Sequence, residues 1–246
     1  MLHQLLTTDY LFWLVAFLFY LLENIKLTNQ NELILQESAA CRFNPLVSLN
    51  GFEIGGKEVH VLNIFTPYTT FIKLNIDPKR KSEEGFIRES RLIGLFEFHL
   101  LPFRVIGSIA FIYLLAGPIL TFYFGIAATF IFLTPIHLLF LLLALFFLVL
   151  KRKQLGLSCS DIGAIYFELL LVPAYMAAIT KKIGNKKKFL CDGFYFSLRK
   201  TVDLEVCSYL LARKIEALAS LYEESDARFM AYRDYKLNLG LNDVKE

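Results

Sequence analysis

VIGSIAFIYLLAGPILTFYFGIAATFIFLTPIHLLFLLLALFFLVL, residues 105–150, contains no Asp, Glu, Lys or Arg. As one α-helix at 1.5 Å per residue it would run about 69 Å, more than twice the roughly 30 Å of a bilayer's hydrocarbon layer. The stretch therefore predicts a transmembrane helical hairpin over 105–150. Gly125 lies near its middle behind Phe122, Tyr123 and Phe124, and aromatic residues favour the membrane interface, so 122–125 is the expected turn. Gly117-Pro118 is a competing turn or a kink in the first leg, and Pro135 is expected to kink the second.

Basic residues close both ends. Arg88, Arg91 and Arg104 precede the stretch, and Lys151, Arg152 and Lys153 follow it. Cytoplasmic flanks carry an excess of Lys and Arg, so both ends are expected in the cytoplasm and the turn on the far side.

Working outward, residues 1–23 are apolar and aromatic apart from Asp9, and read as an N-terminal membrane span or anchor. A signal peptide fits less well, because a basic start and a small-residue exit are both missing. Ser38-Ala39-Ala40-Cys41 resembles a lipoprotein box, but the polar run from Glu23 to Glu37 separates it from any apolar segment.

Residues 24–85 are polar with short apolar alternations and predict a soluble segment of short β-strands. Phe52-Glu53-Ile54, Gly55-Gly56 and Lys57–Phe65 read as strand, turn, strand, with Thr69–Ile76 as a third strand. Residues 86–104 intersperse charges among Leu92, Leu95, Phe96 and Leu100, as an interfacial amphipathic helix does, with Pro102 expected to kink its end.

Residues 162–180 form a fourth apolar segment containing Glu168 and Pro173. If it crossed the membrane, Lys181, Lys182, Lys186, Lys187 and Lys188 would emerge on the non-cytoplasmic side. The segment is therefore read as re-entrant or interfacial, with a true span as the rival. In the C-terminal region, 189–246, Leu204, Leu211 and Leu218 recur every seven residues and predict a soluble amphipathic helix followed by a tail. The expected fold is thus an α-helical integral membrane protein with three spans, possibly four. A small α+β soluble region would come from the 24–104 loop and the C-terminal helix.

Composition points the same way. Apolar types make up 56%, charged residues 20%, and mean hydropathy is +0.49, against roughly 45–50% apolar in ordinary soluble chains. A net charge of +3 is too small to suggest a nucleic-acid partner. Cys41, Cys159, Cys191 and Cys207 form no CxxC pair and read as unpaired thiols.

Glu168 is the first residue to weigh, because a carboxylate in an apolar segment must pair, protonate or reach water; Arg104 is the cation expected to meet it. His137, near Pro135, is a candidate for an interhelical hydrogen bond. Glu97, His99 and Arg104 cluster before the hairpin, yet Glu97 and His99 are two apart and face different sides of a helix, unlike paired zinc ligands. They read as interfacial residues. His3, His60, His99 and His137 are scattered and suggest no metal, and the sequence carries no nucleophile elbow, Walker loop or dinucleotide glycine pattern.

No cofactor and no catalytic residue are expected. The sequence predicts a non-catalytic accessory or assembly subunit, with the bilayer and another membrane or cytoplasmic protein as partners and Leu204, Leu211 and Leu218 as the docking stripe. The alternative is a small oligomeric transporter or channel subunit using Glu168 and His137, and the third reading is an interfacial lipid-acting enzyme. The expected location is a cytoplasmic (inner) membrane, with 24–104 and the C-terminus on the cytoplasmic side.

Overall fold

The computed structural model describes residues 8–37, 43–46, 53–76, 95–190, 204–223, 225–239 and 241. The expectations placed on Ser38–Cys41, on the basic and acidic linker after Asp77, on 86–94 and on Cys191 lie outside them. The chain divides into two units, one of Met1–Ile25, Asn63–Thr69 and Leu95–Lys186, the other of Lys26–Leu62, Thr70–Gly94 and Lys187–Glu246.

The first unit is helical. Helix α1 (Thr8–Glu23) buries Trp13 and Tyr20 while Leu11, Leu14, Leu18 and Leu22 stay exposed. After a helical stretch at 95–99, helix α2 (Leu101–Leu150) begins. Pro102 lies in its first turn, where a missing N–H breaks no helical bond, so it starts α2 instead of kinking the preceding helix.

Gly125 interrupts α2 with φ 77° and ψ 162°, a backbone conformation open mainly to glycine. The two legs meet at Thr121 and Thr129 near the turn, at Tyr113 and Phe140 midway, and at Phe103 and Phe147 near the ends. They therefore run antiparallel. Pro118 and Pro135 both sit inside the helical legs.

Helix α3 (Arg152–Leu155) stops at Gly156, which is left-handed at φ 63°. Ser158 and Asp161 then form a capping box that starts helix α4 (Cys159–Leu171): each side chain accepts from the other's backbone N–H. Val172 leaves helical space (φ −128°, ψ 91°), and a 3-10 helix over Pro173–Ala178 leads into helix α5 (Ile179–Lys186). Tyr20, Leu114, Ala174, Ala177 and Ala178 form the core between α1, α2 and this 3-10 segment. Small residues let the backbones approach: a Cβ on Gly107 would stand 3.3 Å from the Ala177 carbonyl oxygen.

These elements correct the expected three spans, possibly four. Among the described residues only Leu101–Leu150 is long and apolar enough to cross a membrane. Helix α1 has 16 residues, about 24 Å of helix, and packs its Trp13 and Tyr20 into protein. The 162–180 segment is no continuous helix, because Pro173 lacks the donor that would carry α4 onward and the chain breaks at Val172.

The second unit is mixed. Strands β1 (Ile25–Thr28), β2 (Glu32–Glu37), β3 (Phe43–Pro45), β4 (Glu53–Ile54), β5 (Lys57–Val61), β6 (Phe71–Asn75) and β7 (Lys188–Leu190) form two sheets, in the orders β1-β5-β4 and β3-β2-β6-β7. Strands β4 and β5 are joined by Gly55 and Gly56, both left-handed at φ 59° and 74°, the conformation that a two-residue hairpin needs. In the larger sheet β2 runs antiparallel to β6, with Leu33 opposite Leu74 and Leu35 opposite Ile72, and β7 lies parallel to β6.

Leu33, Ile34 and Leu35 are all buried, as are Phe71, Ile72 and Leu74, so both faces of this sheet are covered. Helix α6 (Leu204–Ala219) packs on β3 and on helix α7 (Ala227–Asn238), which Asp226 caps. Tyr222 and Tyr232 stack beside the connection between the two helices. Residues 63–69 and 95–104 belong to the helical unit.

Candidate functional site

The polar centre of the helical unit is built by two adjacent residues at the start of α5. Lys181 is 1% exposed and Lys182 5%. A buried ammonium is tolerated only when anions and acceptors replace its water. Lys182 Nζ lies 2.9 Å from a Glu23 carboxylate oxygen, is bonded also to Glu168, and sits 3.7 Å from the centroid of the Tyr175 ring. Two carboxylates and a π-face thus surround one cation.

Lys181 Nζ donates to Asn24 Oδ1 and to the Asn63 carbonyl oxygen at 2.7 Å. The Asn24 amide in turn donates to the Tyr20 carbonyl, tying off the end of α1. The turn at 63–69 is held by its carbonyls. Tyr20 Oη donates to Ile64 O at 2.5 Å, and Thr180 Oγ1 reaches Pro67 O at 3.0 Å and Thr69 O at 3.1 Å. Four parts of the unit converge here: the end of α1, the 63–69 turn, α4 and α5. Helix geometry accounts for this, because the break at Val172 turns α5 back so that its first residues meet Glu23 and Glu168.

Chemically the cluster is saturated. Lys182 is bonded to two anions and Lys181 to two neutral acceptors, so neither ammonium is presented as a base or nucleophile. Sequence reasoning missed this centre by reading Lys181 and Lys182 as a solvated flank. The available signal was Glu23-Asn24 at the end of one apolar run and Glu168 inside another, two acidic positions lacking a cation.

The residues expected to matter from sequence fall in different places. Glu168 finds Lys182 as its cation, in place of Arg104. His137 lines an apolar cavity between α1 and α2 and is not brought to Glu168's cluster. Glu97 and His99 lie in the helical stretch at 95–99 and Arg104 in the first turn of α2. Burial, and then the charge of Lys151, hold the His99 imidazole below its ordinary value; the two ends of α2 are therefore close.

Among the described residues no three His, Cys, Asp or Glu side chains group as metal ligands. Leu211 and Leu218, expected to face a partner, are 1% and 6% exposed, so this side of α6 is occupied by the chain itself. Leu204 begins the same helix.

In the mixed unit the polar contact of note is Glu58 on β5. Lys214 of α6 donates to it at 2.9 Å and His60 lies 3.4 Å away, while His60 Nε2 also bonds Thr28 Oγ1 at 2.9 Å. Burial pushes the Glu58 carboxyl up. The hydrogen bonds from His60 and Lys214, with their charges, outweigh that and leave it below its ordinary value.

No protein-family model, curated protein or solved structure matches the chain.

Proposed function

We propose that this is a non-catalytic membrane-resident accessory protein, held in the bilayer by residues 101–150 and offering its mixed unit to a protein partner. The observation that carries the reading is the outer surface of α2. Ile112, Ile119, Ile131, Phe132 and Leu142 are 60–72% exposed, and they belong to one apolar element. Contiguous apolar surface of that extent has no favourable place in water. The exposed Phe122, Tyr123 and Phe124 at the turn suit a headgroup layer.

Arg104 and Lys151–Lys153 lie at the open end of the doubled-back element, which favours that end in the cytoplasm of a cell's inner membrane. The saturated Lys181–Lys182 cluster supports a structural role over a catalytic or transport one, since Glu168 is committed to Lys182. Because Leu211 and Leu218 are buried, the surface left for a partner is the other side of the α6–α7 pair, where Leu221, Met230 and Leu237 are exposed.

Alkaline carbonate washing of membranes tests the anchor: the chain is expected to stay with the lipid, and quantitative release overturns it. Cross-linking in cells tests the partner. A triple change Leu221→Glu, Met230→Glu, Leu237→Glu is expected to remove a discrete cross-linked band, and an unchanged band overturns this docking surface.

A further inference from the structure

The 63–69 turn of the helical unit carries Phe65, which is 77% exposed, more than any other large apolar side chain among the described residues. One exposed Phe means little by itself, but two further observations bear on this one. No Asp, Glu, Lys or Arg occurs between His60 and Lys73. The turn also makes its backbone hydrogen bonds within the protein. Five of its seven carbonyls accept from protein donors: Asn63 from Lys181 Nζ, Ile64 from the Tyr20 hydroxyl, Thr66 from the Thr69 hydroxyl at 2.9 Å, and Pro67 and Thr69 from the Thr180 hydroxyl. The Phe65 N–H donates to Asn63 Oδ1 at 2.9 Å. A loop in water can leave such groups to solvent, whereas irregular backbone at membrane depth must satisfy them internally.

The height of the turn agrees. Ile64 packs on the core of Tyr20, Leu114, Ala174, Ala177 and Ala178. The Tyr20 ring centroid lies 5.2 Å from that of Phe111, which is about 10 Å of helix further in than Arg104. Leu18 and Leu22, on the same end of α1, are exposed.

We propose that the 63–69 turn is a second membrane contact, in which Phe65 enters the lipid at the boundary between headgroups and acyl chains. This rests on the membrane reading above. A protein partner fits less well, because the turn offers no charged group to the polar rim of such an interface and most of its carbonyls are already taken.

The test uses the full chain made in cells with p-benzoylphenylalanine placed in turn at Phe65, at Ile112 on the outer surface of α2 and at Met230 in the mixed unit. The membranes are illuminated, and mass spectrometry of the purified protein reads what each position has captured. A phospholipid adduct is expected at Phe65 and at Ile112. Moving a phenyl ring from water to lipid is favoured about tenfold or more, so the lipid adduct at Phe65 should exceed that at Met230 by about tenfold. In phosphatidylcholine vesicles, the emission that Phe65→Trp adds to that of Trp13 is expected to be quenched by brominated acyl chains and spared by iodide in the water.

Lipid captured at Ile112 but not at Phe65 overturns the proposal and leaves the anchor standing. A protein captured at Phe65 in place of lipid overturns it in favour of a partner, and added emission that only iodide quenches overturns it in favour of water. Lipid at neither position disproves the membrane reading and this contact with it. Lipid at Phe65 alone upholds the contact and disproves the anchor in α2.

Discussion

Two basic clusters follow apolar segments in this chain and meet opposite fates. Arg152 and Lys153, after α2, are exposed; Lys181 and Lys182, after the 3-10 segment, are buried. As sequence the two look alike. The difference lies in what precedes them. Helix α2 offers its end no carboxylate, while the segment before α5 carries Glu168 and turns back onto Glu23. A basic cluster reports on membrane sidedness only after the lysines paired inside the protein are subtracted. Lys181 and Lys182 are two of the five lysines behind the conflict around 162–180, and only Lys186, Lys187 and Lys188 still count in it.

The largest effect should come from breaking the buried cluster. Lys182→Met leaves the Glu23 carboxylate, 13% exposed, without its cation. Removing one partner of a buried pair costs about 3–5 kcal/mol, while Arg152→Gln at the exposed cluster should change stability by less than about 0.5 kcal/mol. Thermal unfolding of the purified protein in detergent measures both. Adding Glu23→Gln and Glu168→Gln to Lys182→Met should recover much of the loss, because no charge is then stranded. If Lys182→Met melts with Arg152→Gln, the distinction between the clusters fails.

The same contrast between protein-facing and open positions applies to two glycines of α2. A Cβ on Gly117 would lie 2.2 Å from the Trp13 ring, whereas one on Gly125 would meet nothing within 4 Å. Gly117→Ala must displace a ring that also bonds Thr121, and overpacking of this kind costs about 1–3 kcal/mol. Adding Trp13→Phe should return part of it, as read by the same unfolding midpoint. Gly117→Ala without effect would mean that α1 does not pack on α2 at Trp13.

What the sequence made legible follows from periodicity and from missing charge. The uncharged 105–150 stretch showed an apolar element that must double back, and Gly55-Gly56 showed the β4–β5 turn, because each depends on local chemistry alone. Strand β2 was missed: Glu32-Leu33-Ile34-Leu35 does not alternate, since both of its faces are buried, and an unbroken apolar run gives no period to detect. The number of spans was overread because α1 and 162–180 are as apolar as lipid-facing helices, yet α1 has only 16 residues and 162–180 breaks at Val172. The Lys182 centre was illegible for a related reason: Glu23, Glu168 and Lys182 meet only in three dimensions, and only the break at Val172 brings them together.

Lys214 lies between the two extremes, with its side chain 12% exposed and its partner Glu58 23% exposed. Its ion pair should therefore be worth less than the buried one, on the order of 0.2–1 kcal/mol. Its signature is in pH. The Glu58 carboxyl is held below its ordinary value of 4.5 in the folded chain, so at acid pH the unfolded chain binds more protons than the folded one. The contribution is therefore fully present above that ordinary value and is lost as pH falls through the lower, folded value. Lys214→Met removes part of what depresses Glu58 and should lower stability at neutral pH by the small amount above. The deficit should then shrink as the pH drops below about 4.5, where the unchanged protein loses the same contact. A deficit that stays constant with pH would assign the effect of Lys214 to packing of its aliphatic stem against β5, and the middle case of the comparison would disappear.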